Sequence, residues 1–162
     1  MQNTQEVIIR KARPRDYAQA CSLFDALDQL HRERAPWMFK TPPAQPRSEN
    51  FFADLLDNED AVVFVADVGP LVGFAHGLMR AAPDIPVFVN QRWGVVEGLL
   101  VDPAWRRRGI GRRLAEAIEE WANGLGAAWV ELNVYDFNAE AHEFYAALGY
   151  LPLSTKLRKL PT

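Results

Sequence analysis

The spacing of apolar residues divides the first third of the chain into one extended and two helical segments. A short apolar run at 7–9 predicts a strand, and apolar residues at helical spacing over 17–31 predict a helix that opens after Pro14. A loop with four prolines follows over 35–46, and a second, shorter helix is expected after Ser48.

Extended patterns dominate the middle of the chain. Residues 61–68 and 71–79 are rich in β-branched and other apolar residues, and a Gly-Pro pair separates them. This pattern predicts a hairpin. A proline-containing loop over 80–92 then leads to a further strand at 94–101.

The last third alternates between helix and strand. A helix is predicted over 109–123 because its apolar residues share one face and glycines follow it. A strand is predicted over 129–135, then a helix capped by Asn138 and closed by Gly149, and a final strand over 150–160.

The resulting order is β-α-α-β-β-β-α-β-α-β. Strands joined by a helix are expected to run parallel, and strands joined by tight turns antiparallel. We therefore predict a single α/β domain over 1–162 with one mixed sheet. Its N-terminal strands are mostly antiparallel, two central strands form a parallel pair, and helices cover both faces.

Composition and charge limit the function classes. The 162 residues include 18 basic and 21 acidic ones, for a net charge of −3, and about half of the residues are apolar. The single cysteine, Cys21, excludes an intrachain disulfide and a cysteine metal cluster, and its place on an apolar helix face favours packing. Three scattered histidines predict no metal site. The N-terminus has no signal-peptide pattern and no apolar run reaches membrane-spanning length, so a cytoplasmic protein without a membrane partner is expected.

Positive charge is concentrated in the stretch WRRRGIGRRL at 105–114, where five of eight consecutive residues are arginine. Three interpretations are open: a nucleic-acid patch, a phosphate-binding loop, or solvated arginines without a ligand. The stretch lies between a predicted strand and a predicted helix start, where backbone N–H groups lack partners and the glycines admit a close ligand. Cations at a helix N-terminus cost roughly 0.3–1 kcal/mol each, so a polyanion that neutralises them is favoured.

The kind of polyanion follows from the motif around it. The stretch lacks the third glycine of a dinucleotide fingerprint and the Lys-Ser/Thr of a P-loop. The segments VVEGLLVDPAWRRRGIGRRLAEAI and NVYDFNAEAHEFYAALGY, within 94–152, resemble the acyl-CoA-binding half of the GCN5-related N-acetyltransferases. The resemblance implies an acetyl-CoA-dependent N-acetyltransferase, with an acceptor-side half over about 1–93 and a donor half over about 94–162.

The same resemblance implies a donor site. Arg106 to Gly111 correspond to the family's pyrophosphate loop, called the phosphate loop below, which holds phosphates through backbone N–H groups. The strand before it pairs with the pantetheine arm, an asparagine lies near that arm, and a tyrosine lies near the thiol. The implied donor-binding residues are Leu99, Leu100, Val101, Arg106, Arg107, Arg108, Gly109, Ile110, Gly111, Arg112, Asn138 and Tyr145.

Two residues are predicted to be catalytic in direct attack of an amine on the thioester. The amine must lose a proton, and the departing thiolate must receive one. Tyr145 is the predicted general acid, although its position also fits a core tyrosine. Glu97 is the predicted base because it interrupts an apolar strand, where desolvation would raise its pKa. The alternative is a glutamate paired with an arginine or facing an open cleft edge. Gly98 suits a bulge that separates this strand from its neighbour.

The acceptor is open at this stage between a small-molecule amine and a peptide N-terminus. The resemblance implies that its site lies between the loops at 30–46 and 80–92, whose apolar residues form either a wall or a homodimer contact. These residues are Trp37, Met38, Phe39, Val87, Phe88 and Trp93. His76, Asn133 and Asp136 are either further acceptor-side residues or ordinary structural ones.

Two other function classes compete with the enzyme. A CoA-binding regulatory or partner module would keep the donor site and show little catalysis. A nucleic-acid-binding domain is disfavoured, since no aromatic residues interleave the arginines and the overall charge is negative.

Overall fold

The computed structural model describes residues 5–161. The strands are β1 (Ile8–Lys11), β2 (Ala61–Asp67), β3 (Leu71–Ala81), β4 (Arg92–Val101) and β5 (Val130–Leu132). The helices are α1 (Tyr17–Arg34), α2 (Glu49–Asp57), α3 (Ile110–Gly124) and α4 (Ala139–Ala147). Short 3-10 turns precede α1 and α3, and both contain a proline.

The five strands form one sheet in the order β1-β2-β3-β4-β5. The first three pairings are antiparallel, and β4 and β5, which α3 connects, run parallel. The predicted mixed sheet is therefore confirmed, including the parallel pair.

Helices cover both faces of this sheet, as predicted. On one face α1 and α2 pack on it through a cluster that includes Phe24 and Phe52, and the rings of Phe24 and Phe74 meet edge to face at 4.5 Å. On the other face α3 buries Leu114 and Ile118 completely. The side chains of α3 pack so near β3 that a Cβ at Gly77 would lie 2.8 Å from Ile118 Cδ1.

A bulge interrupts the pairing of β3 with β4. His76 lies opposite Gly98 and Gly77 opposite Val96, so Glu97 is the extra residue on β4. The pairing of β4 with β5 covers only Gly94–Val96 and ends at the same place. The predicted bulge is thus present where the two parallel strands separate.

Two predictions about the C-terminal third are wrong. The strand expected over 129–135 is reduced to Val130–Leu132, and the strand expected over 150–160 does not form. Residues 151–161, called the C-terminal segment below, are exposed and pair with no strand among the described residues. The segment has the alternating sequence of a strand, but a strand forms only when its backbone can hydrogen-bond to a neighbouring strand.

Within residues 5–161, no helix is long and apolar enough to cross a bilayer.

Candidate active site

The phosphate loop links the end of β4 to the start of α3. Just before it, Asp102 accepts a 2.8 Å hydrogen bond from the Ala104 amide. Arg107 and Gly109 then adopt left-handed backbone conformations, with φ of 62° and 75°. These two reversals turn the chain sharply into α3, and only glycine adopts this region without strain.

The first turn of α3 presents free backbone donors. The first helical hydrogen bond runs from the Arg113 amide to the Gly109 carbonyl at 3.1 Å. In the described part of the chain, no side chain caps the amides that precede it, those of residues 110–112. Such a group of unpaired N–H donors with the positive end of the helix dipole is suited to an anion such as a phosphate.

Two of the five arginines bind the protein itself. The Arg106 Nε donates to the Val101 carbonyl at 3.0 Å, and its Nη1 lies 3.9 Å from the Glu140 carboxylate on α4. Arg113 donates to the carbonyl of Val7, just before β1, at 3.0 Å. The Arg106 guanidinium therefore links the end of β4 to α4, and the Arg113 guanidinium contacts the residue before β1.

Two other arginines lie at the exposed rim of the loop. The Arg108 guanidinium stacks over the Trp105 ring at 4.6 Å. Arg112 lies 3.8 Å from Glu116 one turn later, with both side chains about half exposed. An exposed pair of this kind contributes little to stability, so both cations are available to a phosphate.

The two glycines of the motif have different surroundings. A Cβ at Gly109 would meet nothing within 4 Å, whereas a Cβ at Gly111 would lie 3.2 Å from Phe144 Cζ. The expectation that both glycines admit a ligand is wrong for Gly111, because the α4 side chain fills that space. Its lack of a side chain lets α4 pack beside the phosphate loop.

The predicted pantetheine edge is open on one side. Leu99, Leu100 and Val101 pair with β3. On the other side, β5 pairs with β4 only as far as Val96, so beyond that residue this edge of β4 faces the gap between the two strands. The Val101 carbonyl already accepts a hydrogen bond from Arg106, so the backbone groups that can pair with a ligand belong to the residues before Val101.

Helix α4 carries the predicted asparagine and tyrosine. Asn138 caps it, as predicted, since its side-chain oxygen accepts from the Ala141 amide at 3.1 Å. Burial raises the pKa of Tyr145 to about 12, and its ring packs edge to face against Phe144 and Tyr150. The Tyr145 hydroxyl therefore keeps its proton at neutral pH and is a donor.

The prediction of a desolvated carboxylate at Glu97 is wrong. Its side chain is 37% exposed, and Oε1 lies 3.3 Å from Arg80 Nη2 on the neighbouring strand. The bulge turns this residue out of the apolar pattern of β4, which matches the alternative of an arginine-paired glutamate at the cleft edge. Glu97 lies on β4 and Tyr145 on α4.

His76 adds a buried nitrogen beside the bulge. Among the described residues its Nε2 is buried without a hydrogen-bond partner. Burial lowers the pKa of His76, and the nearby Glu97 charge opposes this effect. The imidazole is therefore neutral near pH 7 and can donate or accept one proton.

Several aromatic side chains pack together near the loops where the acceptor site is predicted. Phe39 from the proline-rich loop packs against His31 and against Tyr135, which follows β5. Trp93 stacks on Trp129 at 5.2 Å, an interaction that joins β4 to the residue before β5.

Of the other predicted wall residues, Met38 contacts this cluster, whereas Val87 and Phe88 are exposed. Val87 is 85% exposed and Phe88 is 53% exposed. Met38 Sδ lies 3.5 Å from the Tyr135 hydroxyl, and Trp37 is covered by the Arg158 guanidinium at 3.7 Å.

The site also includes residues that sequence reasoning missed. Arg80, Trp129 and Tyr135 all touch predicted site residues. The one available signal was strand register, because pairing of β3 with β4 brings residue 80 opposite Trp93 and near Glu97.

A parallel strand pair that separates beside an uncapped helix start is the arrangement that the resemblance to the acetyltransferases predicts. The chain belongs to the acetyltransferase (GNAT) family, whose profile matches residues 24–150.

Its relatives and structural neighbours agree. The uncharacterized N-acetyltransferase YhfO of Bacillus subtilis is 26% identical over 88% of both chains. Aminoglycoside N(6')-acetyltransferase type 1 of Stenotrophomonas maltophilia is 30% identical over 67% of this chain and 71% of its own.

Among solved structures, a single-site mutant of the BH1408 protein from Bacillus halodurans superposes with a TM-score of 0.85 at 25% identity, covering 96% of this chain and 99% of that one. Aminoglycoside N-acetyltransferase AAC(6')-Iy in complex with CoA superposes with a TM-score of 0.72 at 17% identity, over 96% of this chain and 99% of that one, and shares the fold.

Proposed function

We propose that this chain transfers the acetyl group of acetyl-CoA to the primary amine of a small molecule, by direct attack in a ternary complex. The observation that carries the proposal is that two neighbouring stretches of backbone have N–H or C=O groups without a partner within the described residues. Free amides at the start of α3 suit the CoA phosphates, and the β4 edge beyond Val96 suits an amide-containing arm. The names of the relatives, one of them an aminoglycoside acetyltransferase, support a small amine acceptor.

Each donor-side residue has a distinct task in this proposal. The backbone N–H groups of residues 110–112 hold the pyrophosphate, with Arg107, Arg108 and Arg112 around it. Leu99 and Leu100 pair with the pantetheine arm, and the free amide nitrogen of Asn138 is directed to it.

The chemistry requires two proton transfers. The amine loses a proton and its nitrogen forms a bond to the thioester carbonyl carbon; the carbon–sulfur bond then breaks, and the thiolate takes a proton. Tyr145 supplies that second proton, since its raised pKa keeps the hydroxyl protonated. Glu97 accepts the first one, directly or through water, from its exposed position at the cleft edge.

The role of Tyr145 is tested by Tyr145→Phe, with Tyr150→Phe as the matched control. Tyr150 is a neighbouring, partly buried tyrosine whose hydroxyl donates to Glu119. We expect kcat to fall roughly 10²-fold for Tyr145→Phe, the range of a positioned general acid. CoA affinity should change little in both variants. Equal kcat values for the two variants would exclude Tyr145 as the acid.

Glu97 is tested separately by Glu97→Gln, compared with Arg80→Gln. The first change removes the carboxylate and the second only its partner. We expect the acidic limb of the pH–kcat/KM profile to disappear in Glu97→Gln and to persist in Arg80→Gln. An unchanged profile in Glu97→Gln would remove Glu97 as the base.

The second candidate is a CoA-binding module with little catalysis, and one observation favours it: the Glu97 carboxylate is paired with Arg80. Thiol release from acetyl-CoA across a panel of amines separates the two. Tight CoA binding without turnover on any amine supports the module.

A further inference from the structure

The proline-rich loop over 35–46 is fixed to α1 at its first end. The Ala35 amide donates to the His31 carbonyl at 2.8 Å, and the Phe39 amide donates to the Ala35 carbonyl at 3.0 Å. Ala35 itself is fully buried. These bonds place the Phe39 ring beside His31 on α1 and edge to face against Tyr135, which follows β5. The first end of the loop therefore reaches across to the segment after β5.

The rest of the loop has no such backbone anchors. Among residues 5–161, no backbone hydrogen bond joins residues 40–46 to another backbone group. Three of these residues, at 42, 43 and 46, are prolines, which have no N–H to donate. A segment with few backbone hydrogen bonds opens readily, so its position depends on the side chains at its far end.

Arg47, at that far end, is tied to α1 by its side chain and by its backbone. Its guanidinium donates to both carboxylate oxygens of Asp28, at 2.6 Å and 3.2 Å, and lies over the Phe24 ring at 5.0 Å. Its backbone carbonyl accepts from the Tyr17 hydroxyl at 2.7 Å. A bidentate pair fixes direction as well as distance, so Arg47 holds the end of the loop at one place on α1.

Gln45 extends this network into the loop itself. Its side-chain nitrogen donates to Asp25 at 3.0 Å, and its side-chain oxygen accepts from the Arg47 amide at 3.2 Å. Asp25 also lies 3.8 Å from the Arg47 guanidinium. Gln45 and Arg47 thus bind two aspartates, Asp25 and Asp28, which share one face of α1.

Arg47 also lies close to the sheet where the acceptor site is predicted. The Phe24 ring beneath its guanidinium packs edge to face on Phe74 of β3 at 4.5 Å. His76 lies two residues further along β3, on the same face. Burial lowers the pKa of His76; the Glu97 charge opposes this effect and the Arg47 charge adds to it. The residue that ends the loop is therefore near the strand that carries His76.

We propose that Arg47 is a positioning residue for the acetyl acceptor. By holding the far end of the proline-rich loop on α1, its pair with Asp28 keeps Phe39 packed against Tyr135, and these two rings form one fixed wall of the acceptor site. The inference rests on the proposed function, because only an acceptor that binds beside this wall makes its position matter for turnover. Arg47 touches no reacting atom and acts through the loop.

The first test measures acetylation kinetics for Arg47→Met and Arg47→Lys. Arg34→Met is the matched control, since Arg34 is an exposed arginine in the last turn of α1, at the other end of the loop. Methionine removes the charge, whereas lysine keeps it but cannot form the bidentate pair. We expect the acceptor KM to rise about tenfold in both Arg47 variants, with kcat changed less than about twofold, because only binding shared by the ground and transition states is lost.

The affinity for CoA should stay the same in all three variants, and Arg34→Met should match the unchanged chain in every measurement. An unchanged acceptor KM in Arg47→Met would overturn the proposal. So would full activity in Arg47→Lys, which would mean that charge alone matters, or a fall in CoA affinity, which would place the effect on the donor side.

The second test measures the loop directly and needs no acceptor. Lys40 is exposed within the loop, and trypsin cleaves after lysine when the chain opens locally. Under conditions where all variants are folded, we expect cleavage after Lys40 to be at least about fivefold faster in Arg47→Met than in the unchanged chain and in Arg34→Met. Equal rates would overturn the proposal. If no amine is acetylated, the proposed function fails, and the cleavage rates still decide whether Arg47 holds the loop.

Discussion

Substituting Gly111 by alanine tests whether contact with α4 sets the geometry of the phosphate loop. A Cβ there would lie 3.2 Å and 3.3 Å from two ring carbons of Phe144. Favourable carbon contacts lie near 3.5–4.0 Å, so the ring must move by a few tenths of an ångström. Since Phe144 and Tyr145 are adjacent in α4, that movement shifts the proposed acid as well as the helix.

The magnitude follows from comparison with Gly124, at the other end of α3. A Cβ at Gly124 would meet nothing within 4 Å. Gly→Ala in a helix gains up to ~1 kcal/mol, less in a terminal turn, and both glycines lie in terminal turns. Overpacking typically costs 1–3 kcal/mol, and this cost applies to Gly111→Ala alone. We expect Gly111→Ala to be less stable than Gly124→Ala by about 1–2 kcal/mol.

Urea unfolding gives the two stabilities, and calorimetric titration gives the affinity for CoA. The double variant G111A/F144L removes the opposing ring, so a coupling energy of about 1 kcal/mol is expected between the two sites. CoA affinity should fall in Gly111→Ala and stay unchanged in Gly124→Ala. Equal stabilities for the two single variants, with no coupling to Phe144, would refute the idea that this contact is tight.

Three further predictions concern the loop and the core. Gly109→Ala has room for its Cβ but must hold φ near 75°, so it should cost roughly 1–2 kcal/mol in urea unfolding and weaken CoA binding measured by calorimetry. Arg10→Met leaves Asp16, only 3% exposed, without its cation at 2.7 Å, and should lower the unfolding free energy by about 3–5 kcal/mol; a loss under ~1 kcal/mol would contradict this. The Arg10 hydrogen bond lowers the pKa of Asp16, so this stabilisation is present above the unfolded value of about 3.9 and is lost as pH falls towards the folded one. Unfolding midpoints measured from pH 5 to pH 2 should therefore drop less steeply in Asp16→Asn.

Most of the fold was predictable because its signals are local. The hairpin of β2 and β3 follows from a Gly-Pro pair between two apolar runs, and the Asn138 cap from one residue type before an apolar helix. The bulge beside Gly98 was expected from the family resemblance, and glycine suits such a position. Each of these features depends on neighbours in sequence, so one chain suffices to predict it.

The acceptor side was less predictable because its contacts join distant segments. Phe39 and Tyr135 are far apart in sequence but in contact in the structure, and the Trp93–Trp129 stack depends on the register of a parallel pair. The C-terminal segment was predicted as a strand because its alternation is local, whereas the presence of a pairing partner is not. Apolar and aromatic residues indicate burial, but they carry no information on which partner covers them.

The difference between a local signal and contacts made in the fold also applies to the cluster of arginines at 106–113. Counted as charge, five arginines at a helix start predict a polyanion. The structure assigns them unequal positions: Arg106 and Arg113 donate to the carbonyls of Val101 and Val7, whereas Arg108 and Arg112 lie at the exposed rim. The features fixed by the backbone are the two left-handed residues before α3 and the three free amides after them. Gly109 cannot be replaced without strain, and those amides cannot be removed by side-chain changes. If the proposed phosphate site is correct, we therefore expect its affinity to depend more on the loop geometry than on the number of arginines.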